Sequence, residues 1–134
     1  MNKLLIGLII ALIVGTGLFA FFYKSSADMT GKTVFEEDNV KVFEVDSANL
    51  KFYINGVENP DMKVKMGDMV RVNFKSSEGY HDWVLEGYNV STVKINPGNT
   101  ASVGFVADKK GTFSYYCSVG KHRQNGMEGN FIVE

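Results

Sequence analysis

GTFSYYCSVGKHRQNGMEGNFIVE, residues 111–134, reads as two strands joined by a loop crowded with metal-binding side chains. Phe113, Tyr115 and Cys117 alternate onto one face of GTFSYYC, the period-two pattern of a half-buried strand. GNFIVE supplies the strand after the loop. Between them, Cys117 is followed five residues on by His122, and His122 five residues on by Met127. A loop this short brings its side chains to one point at little entropic cost.

The same strand grammar continues upstream. MVRVNFK (69–75) sets Val70, Val72 and Phe74 on one face and Arg71 and Asn73 on the other. TASVGFVAD (100–108) groups Ala101, Val103 and Phe105. VKVFEVD (40–46) alternates Val40, Val42 and Glu44 against Lys41, Phe43 and Val45. LKFYI (50–54) runs into Asn55-Gly56, a strong two-residue hairpin signal. HDWVLEG (81–87) is a further strand, with His81 at its start after a Gly79-Tyr80 turn. Asn96-Pro97-Gly98 marks a turn before the next. About seven or eight short strands at near ten-residue intervals predict an all-β sandwich or barrel.

The bulk numbers agree. The 134 residues make one folded domain, and 13% aromatic content with 14 Gly suits β structure. Net charge is -1, with neither a basic stripe nor an acidic tail, so nucleic acid is not an expected partner. Residues 4–23, LLIGLIIALIVGTGLFAFFY, hold no charge, and Lys3 and Lys24 bracket them. A bilayer-crossing helix needs about 20 apolar residues. We therefore expect residues 1–24 to be a membrane anchor or signal segment, 25–39 a linker, and 40–134 the folded domain. Ser25-Ser26-Ala27 offers a cleavage site, in which case the domain is secreted after cleavage near Ala27. Asn89-Val90-Ser91 matches a glycosylation acceptor, a pattern that recurs by chance.

The smallest counts carry the chemistry. The chain has one Cys and two His, so no internal disulfide forms and an exported thiol needs a purpose. Taken singly, Cys117 reads as a buried thiol, His122 as a surface residue beside Lys121 and Arg123, Met127 as packing and His81 as a turn residue. Taken together they form a His₂CysMet set. Thiolate and thioether are soft donors suited to copper(I), and imidazole suits both copper states. Zinc is poorly served by this set. Met62, Met66 and Met69 are read as packing residues.

The segment YYCSVGKHRQNGMEGNFIVE, with GYHDWVLEG upstream, resembles the cupredoxins, the type 1 blue-copper family, in a plastocyanin-like or rusticyanin-like ligand loop. The resemblance covers residues 40–134. It implies a Greek-key β-sandwich with one copper ion at one end. His81, Cys117 and His122 would form the strong plane, with Met127 as the weak axial ligand. The His122 edge would be the electron port toward redox protein partners. Lys121 and Arg123 beside it read either as solvated charge or as a patch for acidic partners. The family often has Asn after its first His and Pro in its ligand loop. This chain has Asp82, and Ser118, Val119, Gly120 and Lys121 with no Pro.

The expected function is a membrane-tethered one-electron carrier, not an enzyme, facing the periplasm or extracellular side, with a monomeric soluble domain. Two alternatives stay open: a mononuclear copper protein acting on a small molecule such as nitric oxide, and a copper delivery or storage protein. A Cys–His nucleophile pair leaves His81 and Met127 unexplained.

Overall fold

The structure is a computed structural model that describes residues 40–134. The anchor and linker expected over residues 1–39 lie outside the described residues. Ten strands form two five-stranded sheets. They are β1 (Val40–Ala48), β2 (Lys51–Ile54), β3 (Val57–Glu58), β4 (Met62–Val64), β5 (Met69–Ser76), β6 (Val84–Leu85), β7 (Val90–Ser91), β8 (Thr100–Val106), β9 (Gly111–Tyr116) and β10 (Glu128–Val133). One sheet runs β3-β2-β1-β5-β8 and the other β4-β10-β9-β6-β7. The excess over seven or eight comes from β3 and β7, two-residue strands too short for alternation to reveal, while β6 is the two-residue remnant of the strand expected over 81–87. Most neighbours pair antiparallel, but β1 runs parallel to β5 and β10 parallel to β4.

The inner faces meet in an aromatic core. Val70, Val72 and Phe74 are wholly buried, as their alternation predicts, and Ala101, Val103 and Phe105 face the same way from β8. Across the gap stand Met62, Leu85, Tyr115 and Phe131. Phe52 packs edge-on to Phe74 and Tyr115 with centroids 6.0 and 5.4 Å apart, and Trp83 stacks on Tyr115 at 6.0 Å. Each such ring contributes roughly 1.5–3 kcal/mol through burial.

Strand β1 turns its other face inward than its valines suggest. Val42 is 51% exposed, while Val45 and Ser47 are buried. The parallel register Val45↔Phe74 and Phe43↔Val72 fixes this, because β5 can turn only its apolar face to the core. Met66 is likewise exposed at 56%, not packed, since it lies in the turn after β4.

Two hairpin turns shape the same sheet. Asn55 and Gly56 have φ of 51° and 79°, the left-handed pair expected of that dipeptide. The turn between β1 and β2 uses Asn49 (φ 50°) and Leu50 (φ 58°), so Leu50 belongs to the turn, not to the strand that LKFYI suggested. A leucine held there carries about 1–2 kcal/mol of strain.

Candidate metal centre

Strand β9 delivers Cys117 directly. Its alternation buries Tyr115 and then Cys117, which is 1% exposed. The following loop is wound on itself. His122 N–H donates to the Val119 carbonyl (3.0 Å), Gly126 N–H to Arg123 (3.0 Å) and Met127 N–H to His122 (3.0 Å). Cys117 N–H then donates to the Met127 carbonyl at 3.2 Å, which closes the loop at its base. Met127 is wholly buried.

His81 arrives from the far side of the sequence. It is not within a regular strand: it makes an isolated bridge with Ile95, exchanging both backbone hydrogen bonds (3.1 and 2.8 Å), three residues ahead of β6. The preceding bend is held by two serines, Ser76 buried and Ser77 exposed. Ser76 Oγ donates to the Gly79 carbonyl (2.7 Å), and the Ser77 amide and hydroxyl donate to the Asp46 carboxylate (3.1 and 2.6 Å).

Three side chains converge. His81 Nδ1 and His122 Nδ1 lie 3.1 Å apart, and Cys117 Sγ lies 3.7 Å from the first and 3.5 Å from the second. Around one transition-metal ion, with metal–nitrogen bonds of about 2.0 Å and metal–sulfur bonds of about 2.3 Å, donors stand roughly 3–4 Å apart. The triangle fits a single ion. His81 and Cys117 are buried, and His122 is half-buried. Of the four residues singled out in the sequence, these three meet through their donor atoms. Met127 is joined to them through its backbone, to Cys117 and to His122.

The electrostatics favour an uncharged imidazole and a shielded thiol. Burial lowers the His81 pKa first, and the neighbouring His122 lowers it further; a hydrogen bond with the Glu78 backbone opposes this. A neutral ring is the form that binds metal. Burial raises the Cys117 thiol, while backbone hydrogen bonds from Asp82 and Val119 pull it down. With no proline in the loop, the Val119 amide is available to the sulfur.

Asp82 ties the two ligand segments together. It is 3% exposed, and its two carboxylate oxygens accept from the Ser118 amide (2.7 Å) and hydroxyl (2.5 Å). Arg123, beside His122, is not simply a solvated charge. Its guanidinium contacts Glu86 (2.9 and 3.3 Å), pairs with Glu128 and lies 4.1 Å over the Tyr116 ring. No periodicity in the sequence announces that clamp, because its members sit on four separate segments.

Comparison with known proteins places this architecture. Reduced auracyanin from Roseiflexus castenholzii superposes with a TM-score of 0.60 at 20% identity, over 69% of this chain and 96% of auracyanin. The domain has the cupredoxin fold. Rusticyanin from Thiobacillus ferrooxidans aligns with a TM-score of 0.59 at 20% identity, over 72% of this chain and 78% of its own. Residues 84–134 match the family model described as multicopper oxidase. L-ascorbate oxidase from Cucumis sativus is 32% identical over 101 residues, 64% of this chain and 17% of the oxidase. The chain thus spans about a sixth of the length of that curated relative.

Proposed function

We propose that the chain is a one-electron carrier that holds a single copper ion with His81, Cys117, His122 and Met127. The convergence of both imidazoles of the chain with its sole thiol, at 3.1–3.7 Å, carries this proposal. A buried set of two nitrogens and one thiolate, with a thioether beside it, suits both copper states. When bound, the ion supplies the exchange between copper(I) and copper(II).

The chain's own residues do the rest. Cys117, His81 and Met127 are shut away from water, so the donors move little when the charge changes. The self-bonded loop and the Asp82–Ser118 tie hold them in place. His122 alone among the four is half-exposed, which makes its ring edge the route for electrons to a redox partner. Leu50, Tyr80 and Val119 border the two imidazoles there, with exposed Lys121 alongside. Brief contacts with redox partners, acidic ones among them, suit such a face. The apolar run at residues 4–23 supports attachment to a membrane, with the domain on the periplasmic or extracellular side.

The matched oxidase favours catalysis as the rival function. Multicopper chemistry needs further histidine ligands, and both histidines of this chain are committed to one centre. The test is the absorption and spin-resonance spectrum of the copper-loaded chain. An intense charge-transfer band is expected, and Cys117→Ser should abolish it. A native protein that stays colourless when saturated with copper(II) overturns the proposal.

A further inference from the structure

Asn59 stands in the turn after β3, remote in sequence from every candidate ligand, yet it is bonded into the ligand loop. Its backbone is left-handed (φ 42°), a conformation that asparagine tolerates. Its N–H donates to the Phe52 carbonyl (2.7 Å), and its Oδ1 accepts from the Phe52 N–H (3.0 Å). That pair fixes which end of the carboxamide faces which way. Nδ2 is left to donate to the Gly126 carbonyl at 2.9 Å, across 67 positions of sequence. The next residue repeats the grip, since the Pro60 carbonyl accepts from the Tyr115 hydroxyl at 2.7 Å.

The Gly126 carbonyl and the Met127 N–H belong to one peptide group, which is planar. The N–H end donates to the His122 carbonyl at 3.0 Å. The C=O end is held by Asn59. With both ends fixed the plane cannot swing, and the direction in which it hands the chain to the Met127 Cα is set. Gly126 (φ 93°) would by itself leave that direction loose.

We propose that Asn59 is a positioning residue for Met127, and through it for the thioether sulfur at the metal. This rests on Met127 being the fourth ligand. Asn59→Asp keeps the turn and the Phe52 contact but sets a carboxylate oxygen against the Gly126 carbonyl. Asn59→Gly keeps the left-handed turn and drops both side-chain bonds, and serves if the first variant does not fold.

Both are made in the full chain. In the metal-free protein, exchange of the Met127 amide should quicken about fivefold in Asn59→Asp, the worth of one neutral hydrogen bond, with the Phe52 amide unchanged. In the copper-loaded protein the charge-transfer band should persist while the reduction potential moves, because the axial ligand tunes it. In a Met127→Leu background the same substitution should move the potential no further. An unmoved potential, or an equal movement with leucine at 127, overturns the proposal. A native chain without the charge-transfer band refutes the metal centre itself. The exchange rates then decide alone whether Asn59 holds residue 127.

Discussion

Gly79→Ala is the substitution that most directly probes how the protein backs its buried histidine. Gly79 has φ 86°, and a methyl group built on it would lie far inside contact distance of His81 Nε2, with Cε1 and Cδ2 at 3.1 and 3.2 Å. The imidazole is 2% exposed, with His122 Nδ1 already 3.1 Å ahead of it. The ring has nowhere to retreat. Two penalties arise. The left-handed backbone costs an alanine about 1–2 kcal/mol, and overpacking adds about 1–3 kcal/mol.

Gly98→Ala separates them. Gly98 has nearly the same φ, 83°, but nothing lies within 4 Å of its added methyl. It carries the backbone strain alone. The second penalty falls on the ligand ring, so Gly79→Ala should bind copper about fivefold to a hundredfold more weakly than Gly98→Ala, at 1.4 kcal/mol per tenfold. Chelator competition, followed at the charge-transfer band, measures this. Thermal unfolding of the metal-free chains should show both variants lowered by the shared backbone strain, at about 4–8 °C per kcal/mol for a domain of this size, and any further lowering in Gly79→Ala is the part of the packing penalty already present without copper, to be subtracted from the affinity loss. Equal affinities and superimposable spectra for the two variants would refute the idea that Gly79 is small to make room for the ligand ring.

Ser118→Ala removes one of the two bonds to the buried Asp82 carboxylate and should destabilise the metal-free protein by about 1.5–3 kcal/mol, read by denaturant titration. Met127→Leu should leave the thiolate band in place and raise the reduction potential, because losing a donor weakens the higher-valent state more; voltammetry checks the direction. Glu86 is held below the ordinary carboxylate range, first by its hydrogen bond to Arg123 and then by that residue's charge. A depressed folded pKa contributes stability above the unfolded value and loses it as pH falls through the folded one. Native protein and Glu86→Gln should therefore differ in Tm near neutrality and converge below the ordinary carboxylate range.

The strands with clean alternation, β5, β8 and β9, were legible because each has one polar and one apolar face. Strand β1 was not, since valines occupy both of its faces and only pairing with β5 decides which is buried. The metal triangle was legible from Cys117 and His122 at loop spacing and from the scarcity of other candidates. His81 lies beside Cys117 and His122, but its setting in an isolated bridge with Ile95 was hidden, because a single bridging residue leaves no period. Asn59, Asp46 and Glu86 stayed silent. Each acts through a hydrogen bond to a distant segment, and nothing in a side chain's own neighbourhood of sequence records such a partner.

Three of the four candidate donors lie between Cys117 and Met127, and the two ends of that interval are already paired, Tyr116 opposite Glu128 in register and Cys117 bonded back to Met127. The interval is an exchangeable cassette mounted on a finished frame. Outside the positions tied to the frame, Ser118 to Asp82 and Gly126 to Asn59, its composition can drift without disturbing the aromatic interior, so the tuning of the proposed metal site is free to vary on a different clock from folding.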